Sequence, residues 1–408
     1  LRRRLVDRGT CRTRISPTPN GPLPSLLRFG FAGSTGGDTN IHELLCFRAQ
    51  PATQAASSSA LNQQQSSRVQ SGSQVYLSYY DPSNWTGRLT ANELSTDSSG
   101  NLVIAQFANW DASCVLTGVP SGSTCPTTGQ AGTIDAESPS SRVMLTWSGS
   151  AGIPFEWSNL TATEQNALDL EKTASGTTNN TTFGQDLLEY LRGDRSNEIT
   201  SSGSGLFRDR VSVLGDIVDS SPVWVGPPSK MIYSAYQTPL TWKDDLYPNA
   251  VMPENSGETY SQYETNEAGR LNVVYVGAND GFLHGFAAGS YNSTGTTYDS
   301  STNTGTEVLA YMPQGVLEDI HNVNKSTLDY SNPQYGHNFY VDATPGVGDL
   351  YYAGSWHTWL VSGIGAGGAE IFALNVTHPS QFSESNASNI VIGDWMAANL
   401  TCANVSNC

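Results

Sequence analysis

The chain has 408 residues, of which 38% are hydrophobic and 14% charged, and carries a formal net charge of −17. That length buries at least one substantial core and allows two or three domains, while an average soluble protein is roughly 25% charged. Nucleic acid is bound through clustered Lys and Arg, and no such cluster occurs beyond the first 15 residues, which excludes nucleic acid as a partner. Abundant Gly, Ser, Thr and Asn, with 18 Tyr and 9 Trp, favour short strands and polar turns over long helices, because β-branched and aromatic side chains pack well on a pleated surface.

The basic start, LRRRLVDRGTCRTR, lacks the roughly 7–15 apolar residues of a signal peptide, and no stretch reaches the roughly 20 needed to span a membrane. The chain begins at Leu rather than Met, so an export signal is expected to be unseen rather than absent. ATQAASSSALNQQQSSRVQSGS (52–73) is low-complexity polar sequence, too poor in apolar surface to order itself. Residues 1–74 therefore read as unassigned linker or disorder.

From Gln74 the texture changes to strands. QVYLSYYD, WTGRLTANEL, NLVIAQFANWD and RVMLTWSG, separated by Gly/Asp/Ser/Pro clusters, predict one antiparallel sheet over 75–158. A capping box at Thr161-Ala-Thr-Glu164 opens a helix. A second fits the one-sided spacing of Phe183, Leu187, Leu188 and Leu191, with Gly193 as its stop. This pair is a helical insertion over 159–204.

Strands resume over 205–408, and there the sequence repeats. DIVDSSPVWVG (216–226) is answered by FYVDATPGVGD (339–349), and VVYVGANDGFLHGFAA (273–288) by WLVSGIGAGGAEIFALNV (359–376). The first copy predicts four strands, VDSSPVWVG, VVYVGA, FLHGFAA and EVLAYMP. Four antiparallel strands, repeated, are what a propeller blade requires. The fold class is thus all-β: a β-propeller of four-stranded antiparallel blades with a small helical insertion. About three blades are present where closed propellers have roughly 4–8, so the propeller is expected to be truncated.

Cys114 and Cys125 bracket a Gly/Pro/Ser loop, and Cys402 and Cys408 flank ANVSN. Both spacings suit local disulfides made in an oxidising compartment, with unpaired thiols as the alternative. No zinc spacing occurs. The turn motifs Gly277, Asn279, Asp280, Gly281 and Gly365, Gly367, Gly368 read as hairpin chemistry, since Asn, Asp and Gly tolerate positive φ. A phosphate loop at 363–368 would need a helix after it, and AEIFALNV reads as a strand. Arg192-Gly193-Asp194 is an integrin-type tripeptide, a weak adhesive candidate beside its reading as a helix stop. The six His residues are scattered, and His284 reads as an inter-blade or water contact. No catalytic constellation and no cofactor site emerge.

Several stretches together resemble a known family, the type IV pilus tip adhesin and assembly proteins (PilY/PilC-like). They are Tyr190 to Arg195 with Glu198, Arg208 to Pro222, Val274 to Phe286, Ala310 to Pro313, Phe339 to Pro345 and Gly363 to Gly368, with Asp81 to Gly87 upstream. The resemblance covers roughly 75–395. It implies a modified propeller on an exported protein of a Gram-negative bacterium, at the pilus tip, outer membrane or cell surface. It further implies minor pilins and a host-cell or abiotic surface as partners, and a role in pilus display and attachment without chemistry of its own. The family's von Willebrand A-like Asp-x-Ser-x-Ser is not found, and its calcium loop is expected beyond Cys408. Competing readings are a quinone-dependent propeller dehydrogenase, whose blade signature and vicinal cysteines are missing, and an exported scaffold unrelated to pili.

Overall fold

The computed structural model describes residues 73–399 other than 132–133, 201, 229–230, 233–238 and 241–256, together with the backbone strand at 55–61. Contacts divide the chain into units 1–49 and 50–408, and all described residues lie in the second. A first sheet runs in the order β1 (Ala55–Leu61), β2 (Gln74–Asp81), β3 (Thr86–Thr96), β4 (Leu102–Ile104), with β5 (Trp110–Asp111) also paired to β3. β1 corrects the reading of 52–73 as linker: it pairs antiparallel with β2 from Ala55 against Tyr80 to Leu61 against Val75. An edge strand is held by main-chain bonds, so a run of Ala and Ser without an apolar pattern can still join a sheet. After β5, Asp111 caps α1 (Ala112–Thr117) by accepting from the Ser113 amide. Cys114 of α1 is disulfide-bonded to Cys125.

β6 (Met144–Trp147) and β7 (Gly152–Pro154) form the next hairpin. The helical insertion follows. α2 (Ala162–Asp169) carries the full Thr161/Glu164 capping box, and α3 (Thr181–Arg192) ends on Gly193 in the left-handed region at φ 110°. Between the helices lies a hairpin that the sequence reading did not contain, β8 (Leu170–Thr173) with β9 (Gly176–Asn179).

The second sheet is built from β10 (Val223–Val225), β13 (Val273–Gly277), β14 (Leu283–Ala287) and β17 (Glu307–Tyr311), the four strands expected of the first repeat. Between β10 and β13 come the short pair β11 (Met231–Ile232) with β12 (Pro239–Leu240) and helix α4 (Tyr260–Asn266), and between β14 and β17 the short pair β15 (Ser290–Tyr291) with β16 (Tyr298–Asp299). RVMLTWSG does not belong to the first sheet as expected. Its strand β6 pairs parallel with β17, Ala310 against Met144 and Tyr311 against Leu145, so the order is β10-β13-β14-β17-β6-β7. Parallel pairing needs a long connection, and here the insertion and most of the first repeat lie between the partners.

α5 (Gln314–Asp319) leads to the third sheet, β18 (Gly346–Tyr352), β19 (Ser355–Gly363), β20 (Glu370–Asn375) and β21 (Val391–Met396), in sequence order and antiparallel throughout. β13 and β14 are buried at every residue, which is what a sheet covered on both faces requires. Val274, Val276 and Phe286 meet Tyr76, Leu89 and Trp110 of the first sheet. Val273, Tyr275 and Leu283 belong to the opposite core, with Leu360, Phe372 and Leu374 of the third sheet and Leu187, Leu188 and Leu191 of α3. On the third sheet's far face Val361, Ile371 and Trp395 are exposed.

The Cys114–Cys125 bond closes a loop of sequence separation 11. Replacing both cysteines with serine is expected to lower stability by about 2–3 kcal/mol, since a cross-link of that loop length restricts the unfolded chain. Urea unfolding of both forms under oxidising conditions measures it, and coincident midpoints would contradict it.

Candidate functional site

The Gly277-Ala-Asn-Asp-Gly281 turn between β13 and β14 starts a network of buried charge. The Asp280 carboxylate accepts from the amides of Gly215 (2.8 Å) and Phe282 (3.2 Å) and meets His284 Nε2 at 3.1 Å. The other ring nitrogen of His284, Nδ1, lies 2.6 Å from Glu307 Oε1 on β17. Glu307 is gripped by Arg142 at the head of β6, Nε to Oε2 at 2.6 Å and Nη2 to Oε1 at 3.0 Å. Arg142 Nη1 donates in turn to the Arg192 carbonyl at the end of α3 (2.6 Å), and Glu137 accepts from the Glu307 amide (2.9 Å). One chain of bonds therefore ties the turn, β14, β17, β6 and the insertion.

Burial works against a charged imidazole, but Asp280 and Glu307 outweigh it and raise the His284 pKa to about 9. Burial also opposes ionisation of Asp280 and Glu307, yet His284 beside Asp280, and Arg142 with His284 beside Glu307, hold both carboxyls below their usual range. Glu137, pushed by burial and by the Glu307 charge, rises to about 7. His284 is 1% exposed, and its two ring nitrogens bridge the 277–281 turn to β17, so this arrangement holds strands together.

Asn279 forms the second half of the site. Its side-chain amide donates to Asp216 Oδ2 (2.9 Å) and its side-chain carbonyl accepts from the Tyr340 amide (2.9 Å). Asp216 and Tyr340 belong to the two copies of the repeated motif, and the copies also bond directly. The Asp219 amide donates to Asp342 Oδ1 (3.1 Å) and the Ser221 amide to Thr344 Oγ1 (2.8 Å). Asp219 and Ser221 occupy in the first motif the places of Asp342 and Thr344 in the second, so equivalent segments of successive blades lie side by side. His337 Nε2 reaches Asp216 Oδ2 at 2.8 Å while its ring stacks at 3.9 Å on Trp85, in the turn between β2 and β3.

The remaining sequence-derived residues are placed as follows. A β-carbon on Gly277 would run into the Val341 carbonyl, and one on Gly367 into the Tyr340 carbonyl, so both permit close passage of the second motif. Gly281, Gly365 and Gly368 have positive φ and shape the two turns. Arg192 is buried, donating to the carbonyls of Phe155 (2.7 Å) and Pro139 (3.0 Å) and to Glu384 (2.9 Å). Gly193 is the helix cap, and Asp194 accepts from the Ser196 amide. The tripeptide therefore presents no arginine to solvent, which corrects its adhesive candidacy. Cys402 and Cys408 lie outside the described residues.

Sequence reasoning missed Arg142, Glu307 and Glu137. It also gave no reason for the Arg208 to Arg210 stretch. There Arg210 bonds Glu198 (2.6 Å) and covers the Tyr190 ring (3.7 Å), and Arg208 sits 4.7 Å from the rings of Tyr330 and Tyr335. These contacts dock α3 onto the 330–335 segment.

Among the described residues, the group within metal-binding reach is Asp111 with Cys114 and Cys125. Its sulfurs are bonded to each other, and Asp111 is paired with Arg88 at 2.8 Å. Asp299 caps its own turn by accepting from Ser301. A shallow surface depression of about 370 Å³ lies among Phe183, Leu206, Phe207, His321, Asp329 and Gln334. No described helix is long and apolar enough to cross a membrane.

Sheets packed face to face, two of them carrying the four antiparallel strands of one repeat each, with a repeated motif joining successive sheets, are built as the blades of a β-propeller are. Residues 214–391 match the PilY1 beta-propeller domain and belong to that family. Type IV pilus biogenesis factor PilY1 of Pseudomonas aeruginosa strain PAK is 31% identical over 331 residues, 81% of this chain and 23% of the relative. A PilY1 homolog of Xylella fastidiosa is 34% identical over 202 residues, 49% of this chain and 11% of the relative. The crystal structure of the P. aeruginosa PilY1 C-terminal domain is 26% identical and covers 43% of this chain and 25% of that one, at a TM-score of 0.25. The chain spans about a quarter of the length of the PilY1 relative from strain PAK.

Arg142→Met or Glu307→Gln alone leaves an uncompensated buried charge, expected to cost about 3–5 kcal/mol in urea unfolding. The folded His284 pKa, about 9, lies above the ordinary value of about 6.5. Its stabilisation is therefore complete below about 6.5 and disappears as pH rises through about 9. The stability difference between wild type and His284→Gln should shrink across that window, and a constant difference would refute the charged state.

Proposed function

We propose that this chain is the propeller portion of a type IV pilus biogenesis factor that supports assembly and display of pili. The observation that carries this reading is the 31% identity to PilY1 over 81% of the chain, together with the propeller match over 214–391. The chain acts at the pilus tip, outer membrane or cell surface, contacts minor pilins, and serves attachment to host-cell or abiotic surfaces. A non-enzymatic role is supported by the burial of Asp280, His284 and Glu307, whose acid–base groups bond one another. Calcium dependence belongs to the longer protein under this reading.

The source gene is to be replaced by a form lacking the coding region for 214–391, with expression checked by immunoblot. Surface pili and attached cells are then counted. Loss of most surface pili is expected, and restoration of retraction-deficient cells to piliation without the propeller would argue against assembly. Unchanged piliation together with unchanged attachment overturns the proposal.

A further inference from the structure

The two repeat copies differ at one buried place. Glu370 follows Gly363 by the same interval at which His284 follows Gly277. Across the neighbouring strand Phe286 pairs with Glu307 in the first copy, and Phe372 with Asp394 in the second. The imidazole–carboxylate pair of one blade is thus replaced by two carboxyl groups in the next. Both are buried, Glu370 at 4% and Asp394 at 7% exposure.

Their surroundings come from the preceding blade. The Tyr311 hydroxyl donates to Asp394 Oδ2 (2.6 Å), as does the Gln314 amide (3.0 Å), and the Gly315 amide donates to Glu370 Oε1 (2.9 Å). Among the described residues no N–H or O–H reaches the other two oxygens, Glu370 Oε2 and Asp394 Oδ1. The consecutive amides of Gln314 and Gly315 hold one carboxyl group each, which sets Asp394 and Glu370 side by side, and two carboxyl groups can bond each other only around a proton. The ionisable groups acting on the pair are Tyr311 of β17, Glu318 of α5 and, through Tyr311, Glu164 of α2, none of them cationic. β6, β7 and residues 387–390, which also pack on β21, carry no ionisable side chain.

We propose that Glu370 and Asp394 share one proton, and that this proton locks β20 and β21 of one blade to Tyr311 and the start of α5 in the blade before it. With the proton bound, each carboxyl group keeps its donors from the preceding blade. Without it, two adjacent charges share a buried site that also feels Glu318, and like charges there cannot both be accommodated. Burial, and then Asp394, push Glu370 up to about 9. The unfolded chain releases this proton near about 4.3. The lock's contribution to stability is therefore complete below about 4.3 and is lost as pH rises through about 9.

Infrared difference spectra of the 408-residue chain test this directly. A buried protonated-carboxylic band is expected at neutral pH. It should vanish above about pH 10 and be missing in both Glu370→Gln and Asp394→Asn. Amide exchange of β21, compared at one alkaline pH, should be several-fold faster in wild type than in Glu370→Gln, whose amide replaces the proton. No band at neutral pH, or equal exchange in the two proteins, overturns the proposal. A band seen only after EDTA, and removed by calcium chloride, would assign the pair to a divalent cation and equally overturn it. If Glu370→Gln does not fold, the wild-type band and its loss in Asp394→Asn decide.

Discussion

The His284 imidazolium, held between Asp280 and Glu307, is the contact on which the described structure depends. Removing an ion from water costs several kcal/mol, and attraction in the interior offsets this only when every charge is matched. Here Asp280 and Glu307 are matched by His284 and Arg142, so the network is neutral when complete and charged when any member is removed. Its members come from the 277–281 turn, β14, β17 and the head of β6. The same bonds that balance charge therefore fix how these strands align. The parallel addition of β6 to β17 has few residue pairs of its own, and the Arg142–Glu307 fork anchors it.

This network also sits where two cores meet. β13 and β14 send Val274, Val276 and Phe286 to one side and Val273, Tyr275 and Leu283 to the other. A strand buried on both faces has no solvent-exposed side to fix its register by the alternation of polar and apolar residues. Polar pairing through Asp280, His284 and Asn279 supplies that information instead. The second copy uses the same backbone path differently. Where the first has Asn279 and Asp280, it has Gly365 and Ala366, and where the first has His284, it has Glu370. The first turn reaches the next blade through side chains, while the second lets the Tyr340 carbonyl pass against Gly367. The copies share a fold and differ in how each meets its neighbour.

The strands of the repeats, the capping box on α2 and the stop at Gly193 were legible because each is encoded within a few residues. Alternation, cap chemistry and a left-handed glycine are local signals. β6 was assigned to the wrong sheet because its partner β17 lies far along the chain, and nothing in MLTW distinguishes one sheet edge from another. β1 was missed because Ala and Ser carry no apolar pattern. Of the site, the turn residues were found but their long reach was not. A signal did exist: Arg142 heads an apolar strand in a chain with only 20 Lys and Arg, and such a residue entering a core needs a carboxylate waiting there. His284 facing Glu370 across the aligned repeats was a second signal, since a buried position that changes charge type between copies must change its partner as well.

The fate of Arg192-Gly193-Asp194 follows from the same rule. A guanidinium carries five donors, and this one satisfies the Phe155 and Pro139 carbonyls at a helix end while its own carbonyl receives Arg142. Presenting Arg192 to a partner would strip those carbonyls and unseat Arg142 from an acceptor it holds beside Glu307. Recognition by this chain is therefore cheaper through surfaces that the buried network leaves alone. The depression around Phe183, Leu206 and Gln334 is one of these, and the exposed Val361, Ile371 and Trp395 on the third sheet form another.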